Sequence, residues 1–191
     1  MAAWDAVLEF WLYRVGPDGW FAANAPDVDQ EIRDRFMGLW DTALHGGLTD
    51  WCASPEGALC YLIVTDQFSR NMWRGDARSF ATDALARRAA RQAIARNDDL
   101  KVSGAARVFF YLPFEHHECL SDQEWNLDLI AERLPDPDGG YRLHGRVHHE
   151  IIRRFGRFPY RNEALGRIST AEEEAFLQSG GYGAVLHALA P

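Results

Sequence analysis

Two carboxylates and two imidazoles occupy four consecutive positions, Glu115-His116-His117-Glu118, directly after the aromatic run Tyr111-Leu112-Pro113-Phe114. These groups can do acid–base work, because histidine exchanges protons near neutral pH and an adjacent carboxylate polarises it. The same donors suit a divalent metal, and His148, His149 and Glu150 add to the supply. No His-Glu-x-x-His occurs, and the His-x-x-x-His spacing of His144 and His148 stands alone, so no zinc signature is present. His148 also falls on the apolar stripe between Val147 and Ile151, where a hydrogen-bonded core histidine is the plainer reading.

Two further stretches carry charge in an unusual pattern. In Asp66-Gln67-Phe68-Ser69-Arg70-Asn71-Met72-Trp73-Arg74-Gly75, helical spacing puts Gln67, Arg70, Asn71 and Arg74 on one face. Two guanidiniums and two amides there can hold an anion; the plainer reading is a solvated face with an Asp66–Arg70 ion pair. In Arg153-Arg154-Phe155-Gly156-Arg157-Phe158-Pro159-Tyr160-Arg161-Asn162, arginines alternate with aromatics around a glycine stop. A helix end at Gly156 followed by a rigid Phe158-Pro159 would aim Arg157 and Arg161 inward. Alternatively, these arginines cap carbonyls and stack on rings.

The elements that must position these groups all have helical period. Trp4, Val7, Leu8, Trp11 and Leu12 form a first stripe that ends at Gly16-Pro17. Ile32, Phe36, Leu39, Trp40 and Ala43 form a second, closed by Gly46-Gly47. Pro55 suits the first turn of a third helix through Leu59, Leu62, Ile63 and Asp66, and a fourth, alanine-rich helix follows Asp76 or Thr82 and runs to Ala95. A fifth covers Ala105 to Tyr111. Ser121 with Glu124 reads as a capping box for a sixth helix through Ile130, Val147 to Phe155 form a seventh, and Thr170 with Glu173 caps an eighth through Leu177. No strand is required. The expected fold is all-α, one domain over 1–191, with antiparallel helical pairs stacked as a bundle or short solenoid. Trp4, Trp11 and Trp40 fit core stripes, whereas Trp20, Trp51 and Trp73 lie near loops or polar faces and could line a pocket or a dimer contact.

Composition narrows the function. A hydrophobic content of 47% is ample for a packed core, and a formal net charge of -8 disfavours nucleic acid and anionic membranes as partners. No run approaches the roughly 18 apolar residues of a membrane span, and no cationic leader opens the chain. The odd cysteine set Cys52, Cys60 and Cys119 fits reduced thiols in a cytoplasmic protein. No nucleophile elbow, phosphate loop or dinucleotide fingerprint occurs, so no motif names a cofactor, a metal or an oligomeric state.

Taken together, three blocks resemble the bacterial family catalogued as domain of unknown function 924: Asp66 to Asn71 with Arg74-Gly75, Tyr111 to His116 with Glu118, and Arg154 to Pro159 with Arg161-Asn162. The likeness runs from about Val7 to Leu177. It implies an all-helical fold similar to tetratricopeptide repeats, with no assigned activity. The family's recurrent polar positions match Gln67, Arg70, Asn71, Arg74, Glu115, His116, Glu118, His148, Arg157, Arg161 and Asn162. This chain departs from the pattern at Ser69, where many relatives have proline, and at His117, where a small residue is usual.

Recurrence as motifs favours one polar pocket over solvated faces. The expectation is a small-molecule enzyme or receptor for an anionic ligand. His116, Glu115, Glu118 and His148 would supply acid–base chemistry or a metal site, and Gln67, Arg70, Asn71, Arg74, Arg157, Arg161 and Asn162 would bind the ligand. The alternative is a tetratricopeptide-like module that clamps a peptide carboxylate without chemistry. A third reading makes the blocks a buried ion-pair network that specifies packing.

Overall fold

The computed structural model describes residues 4–22 and 24–190. Among these all regular structure is helical and no strand forms. The chain gathers into two compact units: residues up to 74 with 78–113, and residues 75–77 with those from 114 onward.

In the first unit, α1 (Asp5–Leu8) widens into a π-helical stretch, Glu9–Val15, that stops at Gly16, whose φ of 68° favours glycine. Proline opens each of the next two helices, α2 (Pro17–Trp20) and α3 (Pro26–Leu44), where its missing N–H costs nothing. The stripe Ile32, Phe36, Trp40 and Ala43 on α3 is buried, as its spacing predicts. Ser54 caps α4 (Pro55–Leu62) by accepting the Gly57 N–H at 3.1 Å. This helix widens into a second π-helical turn, Ile63–Phe68, before α5 (Ser69–Met72). Phe68 packs edge-on against Trp11 at 5.3 Å and stacks on Phe36 at 5.0 Å, which ties three elements into one aromatic core. Trp20 and Trp51, expected near loops or polar faces, are buried instead; the Trp20 indole donates to the Trp11 carbonyl at 2.6 Å, so its one polar atom is satisfied inside.

The alanine stripe of α6 (Asp83–Ala95) buries Ala86, Ala89, Ala90 and Ala93, and α6 packs on α4. The fifth helix expected at Ala105 to Tyr111 is a 3₁₀ segment, Gly104–Phe110. It is bounded by Gly104, at a φ of 65°, and by Pro113, leaving a short run where the tighter helix serves.

The chain passes into the second unit within α7 (Leu112–Glu115), and α8 (Leu120–Arg133) and α9 (Gly140–Phe155) then pack together. Gly145 on α9 makes this approach possible: a Cβ there would meet Leu127 at 3.0 Å and the Asn126 amide at 3.2 Å. Gly156, at a φ of 67°, ends α9 in the left-handed conformation. The capping box at Thr170 and Glu173 opens α10 (Ala171–Gln178) as the sequence predicts. The one expected at Ser121 and Glu124 does not form, because α8 starts earlier, at Leu120. A final helix, α11 (Gly181–Leu189), packs on α9 and was not expected from the sequence. Val147, Ile151, Ile152, Phe158, Phe176 and Val185 make this unit's core. Among the described residues no helix is long and apolar enough to cross a membrane.

Candidate functional site

The first charged block lies in the first unit. The π-helical turn turns Asp66 and Gln67 inward together, and the Gln67 amide donates to the Asp66 carboxylate at 2.6 Å. Arg70 reaches both carboxylate oxygens of Asp83, at 3.1 and 3.2 Å, and also pairs with Asp66 at 3.2 Å. Asn71 and Arg74 both donate to Asp29 on α3, with Arg74 doing so through two nitrogens at 2.5 and 3.0 Å. Each guanidinium therefore already faces a carboxylate of its own unit, and the geometry gives this block the work of tying α3, α5 and α6 together.

The second unit brings the other two blocks together. Glu115, at the end of α7, is fully buried and held from two helices. Asn126 on α8 donates to its Oε2 at 3.0 Å, and Nδ1 of His148 on α9 donates to its Oε1 at 3.0 Å. That same Nδ1 lies 2.9 Å from the His144 carbonyl. Both partners can only accept, so Nδ1 carries a proton, and in the neutral ring it is Nε2 that keeps the lone pair. Among the described residues Nε2 makes no hydrogen bond. Burial opposes ionisation of Glu115, but the electrostatic pull of the His148 and His116 rings and the hydrogen bonds from His148 and Asn126 outweigh it, so its carboxyl lies below the usual range.

Around this pair the backbone is pinned. Gln123 on α8 donates to the carbonyls of Glu115 at 2.6 Å and His117 at 2.7 Å. Arg161 donates to the His116 carbonyl at 3.0 Å, with its guanidinium 4.3 Å above the Phe158 ring. His117 bonds Asp122 at 2.7 Å. Glu118 accepts from both terminal nitrogens of Arg167, at 2.7 and 3.0 Å, and from the Phe158 N–H at 2.8 Å. Burial pushes the Glu118 carboxyl up, but these bonds win and hold it low. Glu118 thus anchors the third block rather than exchanging protons. Arg157 has a similar place: it forms a two-pronged pair with Glu173 at 2.5 and 2.7 Å, and Asn162 donates to the same carboxylate at 3.2 Å. These bonds, with the Thr170 N–H, hold Glu173 down to about 2.

The His148 ring sits among aromatic edges: His116 at 6.1 Å, Phe158 at 5.5 Å and Tyr182 at 5.1 Å between centroids, all near perpendicular. Of the groups expected to do chemistry, Glu115, His116 and His148 therefore meet, with the positive charge of Arg161 beside them. Gln123, Asn126, Arg167, Glu173 and Tyr182 hold or touch these groups, and the sequence reading does not single them out for it. Only the capping box at Glu173 left a trace in the sequence. A carboxylate behind a histidine can also orient a metal ligand, but among the described residues no three His, Cys, Asp or Glu groups converge to hold an ion. All three cysteines are free thiols.

A helical scaffold presenting a buried carboxylate behind a histidine defines a class: an all-α protein with a preorganised Glu–His pair. The chain belongs to the family described as bacterial protein of unknown function (DUF924), whose match covers residues 7–181. It is similar to a solved structure of a protein of unknown function, ATU0120 from Agrobacterium tumefaciens, with 40% identity and a TM-score of 0.86, covering 93% of this chain and 97% of that one. No curated protein matches.

Proposed function

We propose that the chain is a cytoplasmic small-molecule enzyme in which His148 acts as a general base through Nε2, oriented and charge-stabilised by Glu115. The observation that carries this reading is the double acceptor on Nδ1, which in the neutral ring puts the lone pair on Nε2, with a buried carboxylate behind the ring. Evolved acid–base sites use the same arrangement, in which a buried carboxylate fixes the tautomer and stabilises the imidazolium once it forms. An anionic group on the substrate would fit the positive charge of Arg161, whose guanidinium lies over the Phe158 ring beside the two histidines while it donates to the His116 carbonyl. A carboxylate clamp built on Arg70, Arg74 and Arg157 is less well supported, because each is held by an aspartate or glutamate of its own unit. Free thiols are at home in a reducing cytoplasm.

The test is a thermal-shift screen of carboxylated and phosphorylated metabolites, followed by turnover assays on every compound that stabilises the protein. A hit should stabilise wild type and His148→Asn alike but be converted about 10²–10⁴-fold more slowly by the variant, the usual contribution of a positioned base. Equal conversion by both, or a panel in which nothing binds, contradicts the proposal.

A further inference from the structure

A second proton-carrying pair lies against the first. Tyr182, delivered by α11, sets its ring 5.1 Å from that of His148, and its hydroxyl is 2.5 Å from Nδ1 of His144. His144 and His148 sit one turn apart on α9, and the backbone carbonyl of His144 is one of the two acceptors that orient His148. One residue therefore touches both pairs. His144 is exposed, whereas Tyr182 is half-buried.

We propose that Tyr182 is the proton donor of this site, recharged through His144 from solvent, and that the substrate is a small enolisable carbonyl or imine compound that loses one proton and gains another nearby. This rests on the reading of His148 as the base. In the step, a substrate C–H bond breaks to Nε2 of His148, its electron pair forms the new double bond, and the Tyr182 O–H breaks to protonate the oxygen or nitrogen that receives the charge. His144, neutral at rest, takes a proton from solvent to become the imidazolium, the phenolate takes the Nδ1 proton from it, and His148 returns the substrate's proton to solvent, so no proton is gained or lost overall.

The surroundings fit these roles. Burial, with the negative charge of Glu115 and the neighbouring Tyr160, keeps the Tyr182 phenol protonated far above neutral pH, as a donor must be at rest. Neighbouring groups that displace water from part of its ring push His144 below its ordinary 6.5, against the pull of Glu115 and with the help of His148. A resting neutral His144 accepts from Tyr182, and a transiently protonated one gives its proton up readily.

Ring-nitrogen NMR of histidine-labelled protein tests this on wild type and Tyr182→Phe, with thermal unfolding confirming that both fold. In wild type, His144 should carry its proton on Nε2 with Nδ1 bare. Tyr182→Phe should abolish that bias, so that the Nδ1–H form appears. A wild-type His144 protonated on Nδ1, or a tautomer ratio unchanged in the variant, overturns the relay while leaving His148 as the base. Finding His148 itself protonated on Nε2 at rest removes the base, and the relay falls with it.

Discussion

A buried carboxylate is costly unless every oxygen is met. At Glu115 the two oxygens are met by different helices, Asn126 on one side and His148 on the other. Asn126 matters because its amide is fully buried and, among the described residues, its nitrogen donates to Glu115 alone. Asn126→Ala should therefore cost about 2 kcal/mol in urea unfolding, the penalty of leaving a buried charged oxygen without a donor. A loss within about 0.5 kcal/mol, typical of surface positions, would mean the bond is not made. At this scale the sequence was partly legible. Glu115, His116 and His148 stand out as residue types in a short motif, but Gln123 and Asn126 read as an ordinary polar face of a helix. Only the approach of α7 and α9 turns that face inward.

Element by element, stripes and caps predict most helices, and the failures have local causes. Periodicity assumes a constant 3.6 residues per turn, and the π-helical turn at Ile63–Phe68 breaks that assumption. Of the four polar side chains Gln67, Arg70, Asn71 and Arg74, only Gln67 lies in that turn, and all four are divided among Asp66, Asp83 and Asp29. α11 escaped notice because Gly181, Gly183 and several alanines dilute its apolar stripe. The junction between the 3₁₀ segment Thr49–Ala53 and α4 has a sharper demand: a Cβ on Gly57 would lie 2.2 Å from the Trp51 carbonyl oxygen. Backbone cannot move aside as a flexible side chain can, so Gly57→Ala should destabilise the protein by about 2–3 kcal/mol despite alanine's better helix propensity. An unchanged or raised unfolding midpoint would refute that packing.

For the whole molecule, the governing quantity is an acidic balance, a net charge of -8, whose key carboxylates are individually tied down. Glu173 is the strongest case, held at about 2 against an ordinary 4.5 by Arg157 and the capping bonds. A depressed folded pKa means the unfolded chain takes up the proton first, so this stabilisation is complete above pH 4.5 and disappears as the pH falls towards 2. Glu173→Gln should cost roughly 2 kcal/mol near neutral pH, as for a hydrogen-bonded charge, and its deficit relative to wild type should shrink between pH 4.5 and 2. A deficit that stays constant across that range would place the cost in packing rather than charge. The all-helical character and family membership were legible from the whole chain, because both rest on local pattern. Its division into two compact units was not, since no composition shift or linker marks the change at Pro113 and Phe114.

A base at His148 requires the proton on Nδ1 and not on Nε2. A long-range ¹H–¹⁵N correlation spectrum of wild type above neutral pH reads this directly, with His148→Asn supplying the assignment. Nδ1 should be protonated and shielded from exchange by Glu115 and the His144 carbonyl, with Nε2 bare. A His148 signal dominated by the Nε2–H form would contradict it.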